Sequence, residues 1–239
     1  MSKKLESVFK DLLKMPYFEN ERARSGKTIN GHEDAIAVRF EDNSFKKLNN
    51  DEYPKLGKTI KDKWIKNDLA FDWLKDKSDT NYKSQPNQTF DTMPLGSFLE
   101  QPGGSQSFPD FLVRDFDGRF LAVEAKSGRD GRCPMWNDNV PKQNAIYILS
   151  SGLLNQTTVF LGKDVITEDA YHLMEQQEKE IAKIVKKYNN LMEDADNHNR
   201  GWIQKSRKQH FQGGGMEKTN YFEHEDRKHC EENVLEFVR

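Results

Sequence analysis

The spacing of apolar positions changes several times along the chain, and each change predicts an element. In residues 2–14, Leu5, Val8, Phe9, Leu12 and Leu13 recur at helical spacing until Pro16 ends the pattern. A second helix is predicted from Asn30 to about Phe40, with Ile36 and Phe40 on one face, and a third over 57–77 with Ile60, Trp64, Leu69, Trp73 and Leu74. Two short apolar runs follow, Phe111–Val113 and Phe120–Ala125. Asp117-Gly118 lies between them, a turn dipeptide that predicts a β-hairpin. Ala145–Leu149 and Thr158–Leu161 read as two further strands. Thr167 opens a long helix to about Glu193, with Leu173, Ile181, Ile184, Tyr188 and Leu191 on one side, and Cys230–Val238 is a last amphipathic helix. The Ser-, Asn-, Gln-, Gly- and Pro-rich stretch from Lys77 to Ser107, and Ser127–Lys142, read as long loops.

This order predicts an α/β (α+β) fold, a central mixed β-sheet flanked by helices. All 239 residues form one domain: a helical part over 1–77, a sheet core over 105–165, and a helical, basic part over 166–239.

Side chains alternate along a strand, so Leu121, Val123 and Ala125 face one way while Glu124 and Lys126 face the other. Asp110 begins the partner strand. Two carboxylates and an amine therefore converge at one end of the hairpin, a set that can hold a hard cation and orient a water. The backbone carbonyl of Ala125 is a further oxygen ligand. Glu33 has two readings: the acidic member of a capping box with Asn30, or a carboxylate presented toward the hairpin.

Composition removes rival classes. Apolar residues make up 35% and charged residues 32%, with 37 basic against 39 acidic, so only local basic patches can argue for a polyanionic partner. Cys133 and Cys230 make neither a disulfide framework nor a zinc knuckle. No leader-like or membrane-spanning apolar run is present, and the expected location is cytoplasmic with no membrane partner. Ser25-Gly26-Lys27-Thr28 resembles a phosphate-binding loop. Glu21 stands where that loop needs its first glycine, so no nucleotide cofactor is expected.

Three regions carry groups able to contact DNA. Ser105 and Gln106 precede Asp110. Arg129, Arg132, Asn137, Asp138, Asn139 and Lys142 follow the second strand of the hairpin. Arg200, Lys205, Arg207 and Lys208 lie in the acid-free window Asn197–Gly215, interleaved with Trp202 and Phe211.

Pro109-Asp110, thirteen intervening residues and Glu124-Ala125-Lys126, spread over a strand, a turn and a strand, resemble the PD-(D/E)xK nuclease superfamily. Ser127-Gly128 after the lysine and the upstream helix bearing Glu33 extend the likeness. The resemblance implies a restriction-endonuclease-like core, Mg2+ dependence, catalytic Asp110, Glu124, Lys126 and Glu33, and metal ligation by Asp110, Glu124, Ala125 and Glu33. It also implies a type II restriction endonuclease that cuts double-stranded DNA, leaves 5′-phosphates and acts as a homodimer. The short connection Ser150–Thr157 departs from the superfamily pattern, which places a helix between its third and fourth strands. The competing readings are a structure-specific or repair nuclease with the same site, an HNH nuclease using His198, Asn199 and His210, and a non-catalytic DNA-binding protein.

Overall fold

The computed structural model of the chain describes residues 3–17, 31–52, 92–102, 108–128, 131–136, 140–143, 145–196, 198–204, 211–213 and 215–239. Two helices come first, α1 (Lys3–Leu12) and α2 (His32–Asp42). The strands are β1 (Lys46–Lys47), β2 (Ser97–Glu100), β3 (Phe111–Arg114), β4 (Phe120–Gly128), β5 (Ile146–Ser151) and β6 (Gln156–Leu161). Four more helices follow: α3 (Gly162–Val165), α4 (Glu168–Ala195), α5 (Met216–Thr219) and α6 (Arg227–Val238). The helix expected over 57–77 lies outside the described residues.

The strands form one mixed sheet in sequence order, β1 to β6. β2, β3 and β4 are an antiparallel meander, β5 runs parallel to β4, and β6 returns antiparallel to β5. Parallel pairing of neighbours requires a crossover. Here that crossover is the connection 129–145, whose described residues contain no helix.

Period-2 alternation gives the sheet two apolar faces. On one, Phe98, Phe111, Val113, Leu121, Val123, Ile148 and Val159 meet the apolar stripes of α1, α2 and α6. Phe40 of α2 lies in its middle, with ring centroids 5.3 Å from Phe98 and 6.0 Å from Phe111. The other face carries Ala122, Tyr147, Leu149 and Phe160, covered by Trp136 and Phe222. Tyr147 stacks on Phe160 at 5.5 Å, as expected for a core tyrosine.

The expected hairpin is present, with Phe111 opposite Val123 and Arg114 opposite Phe120. Gly118 takes φ +89° at its turn, where a side chain would be strained. The Asp117 carboxylate accepts from the Arg119 N–H at 3.0 Å. Asp115, fully buried, is paired with the Arg119 guanidinium at 3.2 Å. The same guanidinium donates to the carbonyls of Phe237 and Val238 at 2.9 and 3.2 Å, satisfying the open end of α6.

Two expectations change. The loop expected from Lys77 to Ser107 contains β2, a buried strand of four residues, too short for alternation to register. The N-cap of α2 is Gly31, one residue later than a capping box from Asn30 requires, and no side chain caps it. Asn30 itself lies outside the described residues.

Arg119→Ala leaves the Asp115 carboxylate buried without its cation and should cost about 3–5 kcal/mol. Urea denaturation of parent and variant measures this. A loss below about 1 kcal/mol would show that the clamp carries no stability.

Candidate active site

The register of β3 and β4 places Asp110, one residue before β3, beside Glu124 and Ala125 of β4. The Ala125 N–H donates to Asp110 Oδ2 at 2.8 Å, and the Asp110 N–H donates to Glu124 Oε2 at 3.2 Å. Lys126 Nζ contacts Glu124 Oε1 at 2.7 Å. Only 22% of the Lys126 side chain and 12% of the Glu124 side chain reach solvent, so this contact is shielded far better than a surface ion pair. Ala125 points to the face of α1, α2 and α6, and Glu124 and Lys126 alternate away from it.

Glu33, at the start of α2, joins the set through a residue the sequence analysis placed only in a loop. Gln101 donates from Nε2 to Glu33 Oε2 at 2.9 Å, and its backbone N–H donates to the Asp110 carbonyl at 2.6 Å. Its φ of +43° is in the left-handed region, which a residue with a side chain rarely occupies. The contact spans 68 positions in sequence, so no local pattern could have disclosed it.

Burial first, and then the Glu124 charge, push the Asp110 carboxyl up to about 6. Burial also raises Glu124, against the pull of Lys126. Glu33 is raised by burial and then by Asp110. His32, next to Glu33, is driven down to about 4 by burial and then by the charge of Lys126. Its Nε2 is buried with no hydrogen-bond partner, so the imidazole is held neutral within reach of the Lys126 charge. It is a second residue missed in the sequence, where a lone histidine at a helix start carries no signal.

Among the described residues no group of three or more His, Cys, Asp or Glu is assembled to hold a metal. Magnesium asks for less, since it binds through one or two carboxylates and keeps several waters. Crowded, partly desolvated carboxylates such as Asp110 and Glu124 fit that demand, because a cation offsets the burial, and after it the neighbouring carboxylate charge, that raise them.

The proposed DNA-contacting residues are less gathered. Arg132 and Lys142 lie in the connection between β4 and β5. The Arg132 carbonyl accepts from the Tyr221 N–H at 2.9 Å, and the Lys142 N–H donates to the Tyr147 hydroxyl at 2.7 Å. Arg200 is exposed in the turn after α4. Ser105, Gln106, Arg129, Asn137, Asp138, Asn139, Lys205, Arg207 and Lys208 lie outside the described residues, as does His210. Comparison of the chain with family models, with curated proteins and with solved structures finds no match.

Folding lifts Asp110 from the usual 3.8 to about 6, so over that window the folded chain holds a proton the unfolded chain has lost. This contribution to stability is full at the acid end and disappears as pH rises through the folded value. Asp110→Asn should therefore flatten the decline in denaturant midpoint between about pH 4 and pH 6, and stabilise the chain at pH 7 by on the order of 2 kcal/mol. A variant that declines as steeply as the parent would assign the titration to another group.

Proposed function

We propose that the chain is a Mg2+-dependent endonuclease that hydrolyses phosphodiester bonds of double-stranded DNA, acting as a type II restriction endonuclease. The observation that carries this reading is the partly buried acid pair Asp110 and Glu124, linked by the Asp110 N–H to Glu124 at 3.2 Å, held by the Ala125 N–H on Asp110 and closed by Lys126 at 2.7 Å. Buried ionisable groups are costly, and so concentrated a set at a strand end favours a site over a structural accident.

Asp110 and Glu124 would hold the metal, with the Ala125 carbonyl and Glu33 as further oxygens. Bound there, Mg2+ supplies charge neutralisation at the scissile phosphate and a more acidic water. Lys126, kept in place by Glu124, donates hydrogen bonds to the attacking water and to a phosphate oxygen. Gln101 holds Glu33 in reach of the same space, and the apolar sheet beneath fixes all of these groups without cost at the moment of reaction. Water oxygen bonds to phosphorus and gives up a proton to solvent, the bond to the 3′ oxygen breaks, and that oxygen takes a proton from solvent water, giving 5′-phosphate and 3′-hydroxyl ends. Arg132 and Lys142, on the connection that leaves the catalytic strand, suit contacts to the phosphate backbone or to guanine edges.

Purified protein incubated with plasmid DNA and Mg2+ should yield discrete fragments whose mapped ends share a short sequence, and EDTA should abolish the cuts. Glu124→Ala and Lys126→Ala should each lower the cleavage rate by about 100-fold or more. Cutting of branched or damaged DNA in preference to intact plasmid would redirect the assignment to a structure-specific nuclease. Binding without cleavage, or undiminished cleavage by either variant, would sink the proposal.

A further inference from the structure

α4 is a 28-residue helix of which only Tyr171 is buried. Its apolar side chains do not enter the core: Leu173 is 68% exposed, Ile181 43%, Ile184 58%, Tyr188 55% and Leu191 50%. After the helix the chain turns at Asp196 and runs back along it, with the Gln204 N–H donating to Asn189 Oδ1 at 2.8 Å. That return lays Trp202 and Ile203, 71% and 62% exposed, on the side of α4 that carries Val185, Lys186 and Asn189, which leaves the stripe itself uncovered. A continuous apolar face of this kind marks an interaction surface.

The spacing of the stripe identifies what fits it. Ile181, Ile184, Tyr188 and Leu191 are separated by three, four and three residues, the alternation of a coiled-coil seam, and Met174 and Gln177 continue it toward the N-terminus. The stripe from Leu173 to Leu191 is about 27 Å long. Charge is divided along the helix: its first half carries Glu168, Asp169, Glu175, Glu178 and Glu180 against Lys179 and is net acidic, and its second carries Lys183, Lys186 and Lys187 against Glu193 and Asp194 and is net basic.

We propose that this face of α4 is the contact surface for a second copy of the chain, the two helices packing antiparallel. Antiparallel pairing lays the acidic half of each helix against the basic half of the other, whereas parallel pairing opposes like charges. In that arrangement Ile181 meets the partner subunit's Ile184, Leu191 meets the partner subunit's Met174, and Glu180 flanks the partner subunit's Lys187, each contact made twice by symmetry. A polyanion fits the face poorly, because its acidic half would repel phosphates. The inference does not rest on the nuclease reading, since it concerns a different element and a property measured without DNA or metal.

The test is sedimentation equilibrium of the full chain from about 1 to about 200 µM, a range in which a small interface associates reversibly. The parent should rise from its 27.9 kDa monomer toward twice that mass. Glu180→Lys alone puts lysine against lysine, and Lys187→Glu alone puts glutamate against glutamate. Each should weaken self-association by about tenfold. An equimolar mixture of the two single variants should recover it, because each supplies the charge that the other lacks. Ile184→Glu, at an exposed position, should leave the chain folded by circular dichroism and monomeric. A parent that stays monomeric throughout overturns the proposal, as does a dimer indifferent to Ile184→Glu, and so does a mixture that fails to recover.

Discussion

Antiparallel pairing of Phe111 with Val123 decides where every charged group at the open end of the hairpin stands. A slip of one residue would turn Glu124 and Lys126 into the aromatic cluster around Phe40 and put Val123 and Ala125 on the face of Tyr147 and Leu149. The apolar face prevents that slip. Phe98, Phe111, Val123 and Ile148 are all within 1% of complete burial, and none can leave without opening a cavity. The register is held by packing and by the turn at Gly118, and it positions the Ala125 N–H to donate to Asp110.

Burial on one side of the strand creates strain on the other. Glu124 and Lys126 sit on a strand whose neighbours are apolar, so their charges are only partly hydrated. The response is a chain of contacts that crosses four segments: Glu33 to Gln101, Gln101 to Asp110, Asp110 to Ala125, and Glu124 to Lys126. Each link satisfies a part-buried group, and all but the Glu124–Lys126 pair on β4 join residues from different segments. Burial, and after it the neighbouring carboxylates, raises Glu33, Asp110 and Glu124 in spite of these contacts. A cation or a bound proton offsets both causes.

The sequence made some of this legible and hid the rest for physical reasons. Strand alternation predicted that Ala125 would turn inward and Glu124 and Lys126 away, and the hairpin places them so. The long period of α1, α2, α4 and α6 was readable because helical amphipathicity accumulates over several turns. β2 was not, because four residues between Gly96 and Gln101 are too few to show a period, and its identity comes from pairing with β3. Gln101 and His32 became part of the site through contacts across the fold, so neither has a local signature. Glu33 stood between a cap and a site residue. Gly31 as N-cap and the bond from Gln101 remove the capping-box reading, while any role in catalysis rests on its nearness to Asp110.

The Arg119 clamp carries a consequence for the order in which the protein is built. Arg119 lies at the tip of the hairpin that positions Asp110 and Glu124, yet it is fastened to carbonyls 118 and 119 positions later. The loop closed by that contact spans about half of the chain, and its entropy must be met before the contact returns any stability. On a ribosome the strands of the meander can pair early, but the tip gains its last partners only after residues 237 and 238 have emerged. A half-made chain therefore holds the acidic residues in an unclamped hairpin, and the tip is fastened only once α6 has been made.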